Sequence, residues 1–65
     1  MSDSRDARRR VLITGAGSGL GQALALRYAR HGDRVACVDL TEARAETTRA
    51  MLEGEGHLAL GADVG

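Results

Sequence analysis

Glycine stands at every second position from Gly15 to Gly21, in the run Thr14-Gly15-Ala16-Gly17-Ser18-Gly19-Leu20-Gly21. A helix or strand interior tolerates glycine poorly at that density, because each glycine loses more backbone freedom on ordering than any other residue. The run therefore reads as a turn, and its flanks say what it joins. Before it, Val11-Leu12-Ile13 has the length and apolar character of a short buried strand. After it, Leu20, Ala23, Leu24 and Tyr28 recur at three- and four-residue spacing on a background of alanine and leucine. That spacing predicts a helix with those residues as its core-facing side. Arg27, Arg30 and His31 crowd its last turn, where cations suit the negative end of the dipole, and Gly32 supplies the cap.

The pattern then repeats. Val35-Ala36-Cys37-Val38 forms a second apolar run, ended by Asp39. Thr41 is placed to N-cap a second helix with Glu42 in its first turn, and Ala43, Thr47, Ala50 and Met51 make one face of it. Gly54 and Gly56 break that helix, and Leu58-Ala59-Leu60 is a third run leading to Asp63. The three runs begin at nearly equal intervals, which predicts strand–helix–strand–helix–strand. Their apolar residues are consecutive instead of alternating, as in parallel strands covered on both faces. Right-handed crossovers place both helices on one face of such a sheet. The other face has no cover within these 65 residues.

Composition removes several classes of function. Nine basic residues balance nine acidic ones, and every basic residue is arginine. A net charge of zero gives no footprint for nucleic acid, and the absence of Phe and Trp removes a stacking platform for single strands. One cysteine cannot form an internal disulfide, and Cys37, inside an apolar run, reads as a core residue and not as a reactive thiol. Cys37, His31 and His57 are not spaced as a zinc site, so no metal is expected; both histidines read as surface or cap residues. No stretch is long enough for a signal peptide or a membrane span, so a cytoplasmic location without membrane contact is expected. Residues 1–9, including most of Arg8-Arg9-Arg10, are polar and without period, and are expected to form a flexible, solvated arm.

The glycine turn carries the chemistry. Glycines there let the backbone approach a ligand closely, while the free amides of a helix N-terminus face an anion, most naturally a pyrophosphate. Asp39 ends the second strand at about the distance, roughly 20 residues beyond such a loop, where a carboxylate accepts hydrogen bonds from a ribose. The Walker loop needs a lysine, and the chain has none. The Gly-x-Gly-x-x-Gly form fails too, since its third glycine would fall on Leu20 or Gln22. Thr-Gly-x-x-x-Gly-x-Gly fits, on Thr14, Gly15, Gly19 and Gly21.

With Val11-Leu12-Ile13-Thr14-Gly15 before the loop, Val38-Asp39 at the second strand and Ala62-Asp63-Val64 at the third, the chain from Arg9 onward resembles the short-chain dehydrogenase/reductase family. The resemblance implies an α/β fold class: the N-terminal βαβαβ half of a doubly wound, parallel-sheet Rossmann fold. Residues 10–65 would then be a partial NAD(P)-binding domain. It also implies that Gly15, Gly19 and Gly21 line the pyrophosphate turn, that Leu20 offers a backbone contact, that Asp39 holds the ribose, and that Asp63 and Val64 flank the adenine. Family members that prefer NADP usually carry a cation at the places occupied here by Ser18 and Leu40. With none there, and a carboxylate at Asp39 to repel a 2′-phosphate, NAD is the expected cofactor. Arg44, on the following helix, leaves NADP open.

The family's acid/base chemistry uses a tyrosine with a lysine four residues on, and a serine. Gly32 stands four residues after Tyr28, and Tyr28 lies on the wrong element, so it reads as helix packing and no catalytic residue is expected within this chain. The expected parent is an NAD(P)-dependent oxidoreductase moving hydride between the nicotinamide and a carbonyl or alcohol substrate, homo-oligomeric as the family usually is. These residues alone would be inactive. The alternative is a non-catalytic, redox-sensing dinucleotide-binding module. Plainer readings stand beside these: a glycine turn serving only to pack helix on sheet, Asp39 as a turn or cap residue, and Asp63 as a strand end.

Overall fold

The computed structural model describes residues 9–62, which form β1 (Arg10–Thr14), α1 (Gly19–Arg30), β2 (Arg34–Asp39), α2 (Glu42–Arg49) and β3 (Leu58–Gly61). The strands make one parallel sheet in the order β1-β2-β3, with Ile13 beside Cys37 and Cys37 beside Ala59. This is the βαβαβ half of a doubly wound sheet.

The helices both cover one side of it. Ile13, Val35 and Cys37 face them and are buried with Ala16, Ala25, Ala29, Ala45 and Leu52. Small side chains at Ala25, Ala29 and Ala45 let helix backbones lie close to the sheet. Burial pushes the Cys37 thiol up from its ordinary pKa, which leaves it in the unreactive protonated form. On the opposite side Leu12, Leu58 and Leu60 are exposed, an apolar face left uncovered among the described residues.

Both helices are turned relative to the faces expected from spacing. In α1, Gly21, Ala25 and Ala29 are buried, while Leu20 is 75% exposed and Ala23 and Leu24 are also exposed. In α2, Ala45 and Thr48 are buried with Leu52 beyond its end, while Ala43, Thr47, Ala50 and Met51 are exposed. The reason is steric: the crossover must press each helix close to the sheet, and the alanine–glycine stripe permits an approach that a leucine stripe does not. Tyr28 is partly buried against the core, in the packing role expected of it.

Two helix ends follow their sequence signals: Thr41 is the N-cap of α2, and Gly32, in the left-handed region at φ +92°, follows the C-cap His31 of α1. The N-cap of α1 is Ser18. Helix α2 stops at Arg49, short of Gly54, through turns in which Met51 and Leu52 N–H donate to Thr48 and Arg49 carbonyls. Two polar ties were not legible. Arg9, placed with the arm, holds the buried Asp33 with Nη2 at 3.0 Å, and its carbonyl accepts from Arg34 N–H. His57 takes the place of a strand residue: its Nδ1 accepts from Val35 N–H at 3.0 Å while Nε2 lies 2.7 Å from the Glu53 carbonyl. Among the described residues no helix is long and apolar enough to cross a membrane.

Candidate functional site

Parallel strands followed by helices bring every βα turn to the carboxyl edge of the sheet, and the β1–α1 loop and the end of β2 meet there. The loop turns at Gly15, whose φ of +67° suits glycine and few other residues. Ser18 closes the turn, its N–H and hydroxyl both donating to the Gly15 carbonyl at 2.9 and 2.7 Å. The same Oγ accepts from Gly21 N–H at 3.3 Å, capping α1. Two first-turn amides, those of Gly19 and Leu20, find no acceptor among the described residues. They sit at the positive end of α1's dipole, open to an anion.

The motif glycines divide by role. Gly15 provides the left-handed turn. A Cβ at Gly21 would overlap the Gly15 carbonyl, so its bare backbone lets α1 seat on the loop. A Cβ at Gly19 would meet nothing within 4 Å. Packing within the chain therefore does not require glycine at 19, whereas close approach of a ligand to the backbone would.

Asp39 anchors the other side. Its Oδ2 accepts from Gly17 N–H at 2.7 Å and its Oδ1 from Leu40 N–H at 2.7 Å, and Arg44 Nε lies 3.0 Å from Oδ1 in an ion pair. The Leu40 and Gly17 amides, followed by Arg44, hold the carboxyl below the usual carboxylate range, so it is a charged acceptor at neutral pH. Asp39 thus has the turn-residue role weighed as the plainer reading, which leaves a ribose role open: a carboxylate offers about four lone-pair sites. A Cβ at Gly17 would lie 2.9 Å from that same Oδ2, which is why the loop is glycine there too.

Gly15, Ser18, Gly19, Leu20, Gly21, Asp39 and Leu40 lie on the two segments that the Gly17–Asp39 bond joins, with Leu20 and Leu40 exposed. Asp63 and Val64 lie outside the described residues; Ala62 N–H donates to the Asp39 carbonyl at 2.8 Å, so the chain leaves β3 beside that residue. Gly17 was visible in the glycine alternation although the motif does not count it. Gln22 and Thr48, which also tie into the loop, carried no signal that distinguishes them from other helix residues.

A βαβαβ half with a glycine turn and a carboxylate at the second strand defines a Rossmann-type unit. The chain belongs to the short chain dehydrogenase family, whose model matches residues 9–65. It is 44% identical over 63 residues to (3R)-3-hydroxyacyl-CoA dehydrogenase of Homo sapiens, covering 83% of this chain and 24% of that protein. It is 46% identical over 56 residues to D-threitol dehydrogenase of Mycolicibacterium smegmatis, covering 83% of this chain and 22% of the relative. A 2-(S)-hydroxypropyl-CoM dehydrogenase of Xanthobacter autotrophicus is similar at 45% over 56 residues, with the same coverage. The chain spans about a quarter of the length of these curated relatives. All three are named dehydrogenases, so the family is one of oxidoreductases.

Proposed function

We propose that this chain is the cofactor-holding N-terminal part of an NAD-dependent short-chain oxidoreductase. The observation that carries the reading is the pair of amides at Gly19 and Leu20, without acceptors among the described residues, on the loop that Gly17 N–H ties to the charged carboxylate of Asp39. The amides receive the pyrophosphate. Asp39 accepts from the adenosine ribose, with Leu40 beside it and Asp63 and Val64 assigned to the adenine. The donor set fits a dinucleotide: unpaired N–H groups for an anion at one end and a buried carboxylate for hydroxyls at the other. When bound, the nicotinamide supplies the hydride chemistry, exchanged with a carbonyl or alcohol carbon of a small-molecule substrate.

The work of these residues is to hold and orient. Gly15 and Gly21 fix the turn, Gly19 lets the phosphates reach the backbone, and the Asp39 charge disfavours a 2′-phosphate. That charge makes NADP the weaker cofactor, and Arg44, which offsets part of it, leaves NADP binding open. The acid/base groups belong to the remainder of the protein, so residues 1–65 alone would be inert. The parent would act as a homo-oligomer in the cytoplasm.

Calorimetric titration of the full-length protein with NAD and NADP tests this reading. NAD is expected to bind more tightly, and Asp39→Ala to weaken NAD about tenfold or more while narrowing the gap to NADP, as loss of charge-assisted hydrogen bonds implies. An unchanged ratio of the two affinities in Asp39→Ala would leave Asp39 a turn residue only. A full-length protein that binds NAD but forms no NADH with any alcohol would favour the redox-sensing module.

A further inference from the structure

The floor of the glycine loop is held by a threonine on the second helix. Thr48 is fully buried, and its Oγ1 donates to the Ala16 carbonyl at 2.8 Å. Gln22, on α1, donates from Nε2 to the same Oγ1 at 3.2 Å. The direction of these bonds is fixed by chemistry. The Ala16 carbonyl only accepts, so the hydroxyl proton must point to it, and the oxygen is then free to accept from the Gln22 amide. Ala16 is itself fully buried, and its N–H donates to the Val38 carbonyl of β2 at 3.0 Å. The loop backbone is thus pinned on both sides at Ala16, by β2 through its N–H and by α2 through its C=O.

From Ala16 the constraint reaches the ligand side within a few residues. Gly17 N–H goes to Asp39, Ser18 closes on Gly15, and the next two amides are the unpartnered ones. The neighbouring threonine gives an internal contrast: Thr47, exposed, spends its hydroxyl on the Ala43 carbonyl one turn back in its own helix. Thr48 has that option as a helical threonine, yet bonds across to the loop instead.

We propose that Thr48 is a positioning residue for dinucleotide binding, its hydroxyl holding the Ala16 peptide so that the Gly19 and Leu20 amides are preorganised for an anion. This rests on the dinucleotide reading above. Without the hydroxyl, the buried Ala16 carbonyl loses its partner and the loop samples other arrangements. Binding must then restore the order, which weakens apparent affinity by the fraction of competent loop.

The test compares Thr48→Val, which keeps the shape and removes the donor, with Thr48→Ser, which keeps the donor. In the full-length protein, T48V is expected to bind NAD about tenfold more weakly, the scale set by one unsatisfied buried carbonyl, and T48S within about threefold of wild type. In the absence of NAD, amide hydrogen exchange from Gly17 to Leu20 should be faster in T48V and near wild type in T48S. A purely structural threonine would lower the melting temperature and leave both readouts, taken well below melting, unmoved. That result overturns the proposal, as does a T48S that behaves like T48V. Should wild type bind no NAD, the dinucleotide reading fails and the proposal with it, while the exchange comparison still reports whether Thr48 orders the loop. Should T48V not fold, Thr48→Cys, close to serine in size but a weak donor, replaces it against T48S with the same expectations.

Discussion

A methyl group added at Gly21 would strike the Gly15 carbonyl, whereas one added at Gly19 would meet nothing. Two glycines of one motif thus predict opposite phenotypes. Gly21→Ala should cost about 2 kcal/mol or more of stability, the scale of overpacking against rigid backbone. Gly19→Ala should keep or slightly raise the melting temperature, since alanine is the better helix residue, and should lose NAD affinity. Thermal melts and NAD titrations of both variants check this; a Gly19→Ala protein that binds NAD like wild type would contradict it. Acid sensitivity belongs to the same scale. Arg9 lowers the pKa of Asp33, and the Leu40 and Gly17 amides lower that of Asp39. Each contributes stability that is full above the unfolded value of about 4 and is lost as pH falls through the folded value below it. Melting temperature against pH should therefore drop below about pH 4, less steeply in Asp33→Asn than in wild type; identical slopes would contradict the assignment.

At the scale of elements, the alternation of glycines and the three apolar runs made the strand–helix order legible, together with the Thr41 N-cap and Gly32 past the first helix. The helix faces were not legible. Leucine spacing pointed to Leu20, Ala23 and Leu24, yet α1 buries Gly21, Ala25 and Ala29. In a tight crossover the side that can come closest wins, and small residues carry little hydrophobic signal. Thr48 was illegible for a related reason: its partner, the Ala16 carbonyl, is a backbone group far away in sequence, and no periodicity reports it. Gly15 and Gly21 were legible because a left-handed turn and a close approach of backbones demand glycine there, while the ligand roles of Gly19 and Asp39 belong to the proposal. The orientation of α2 gives its own prediction. Ala45→Leu, at a fully buried contact, should destabilise by about 1–3 kcal/mol, and Ala43→Leu, on the exposed side, should change stability by less than about 0.5 kcal/mol in urea unfolding. Equal effects would mean that α2 is seated on its other face.

For the whole molecule, the sheet has one covered face and one bearing exposed Leu12, Leu58 and Leu60. A polypeptide of residues 1–65 alone is expected to bind a hydrophobic dye, to associate, and to melt without a sharp transition. A monomeric, cooperatively melting polypeptide would show that this face needs no cover. The central claim, that the β1–α1 loop and the end of β2 form one dinucleotide site, is tested most directly by following backbone amide resonances of the full-length protein as NAD is added. The largest shifts should fall on Gly19, Leu20, Asp39 and Leu40, with little change along Arg10–Leu12 at the opposite edge of the sheet. Saturable binding that moves the Arg10–Leu12 amides and leaves Gly19 and Leu20 where they were would contradict it.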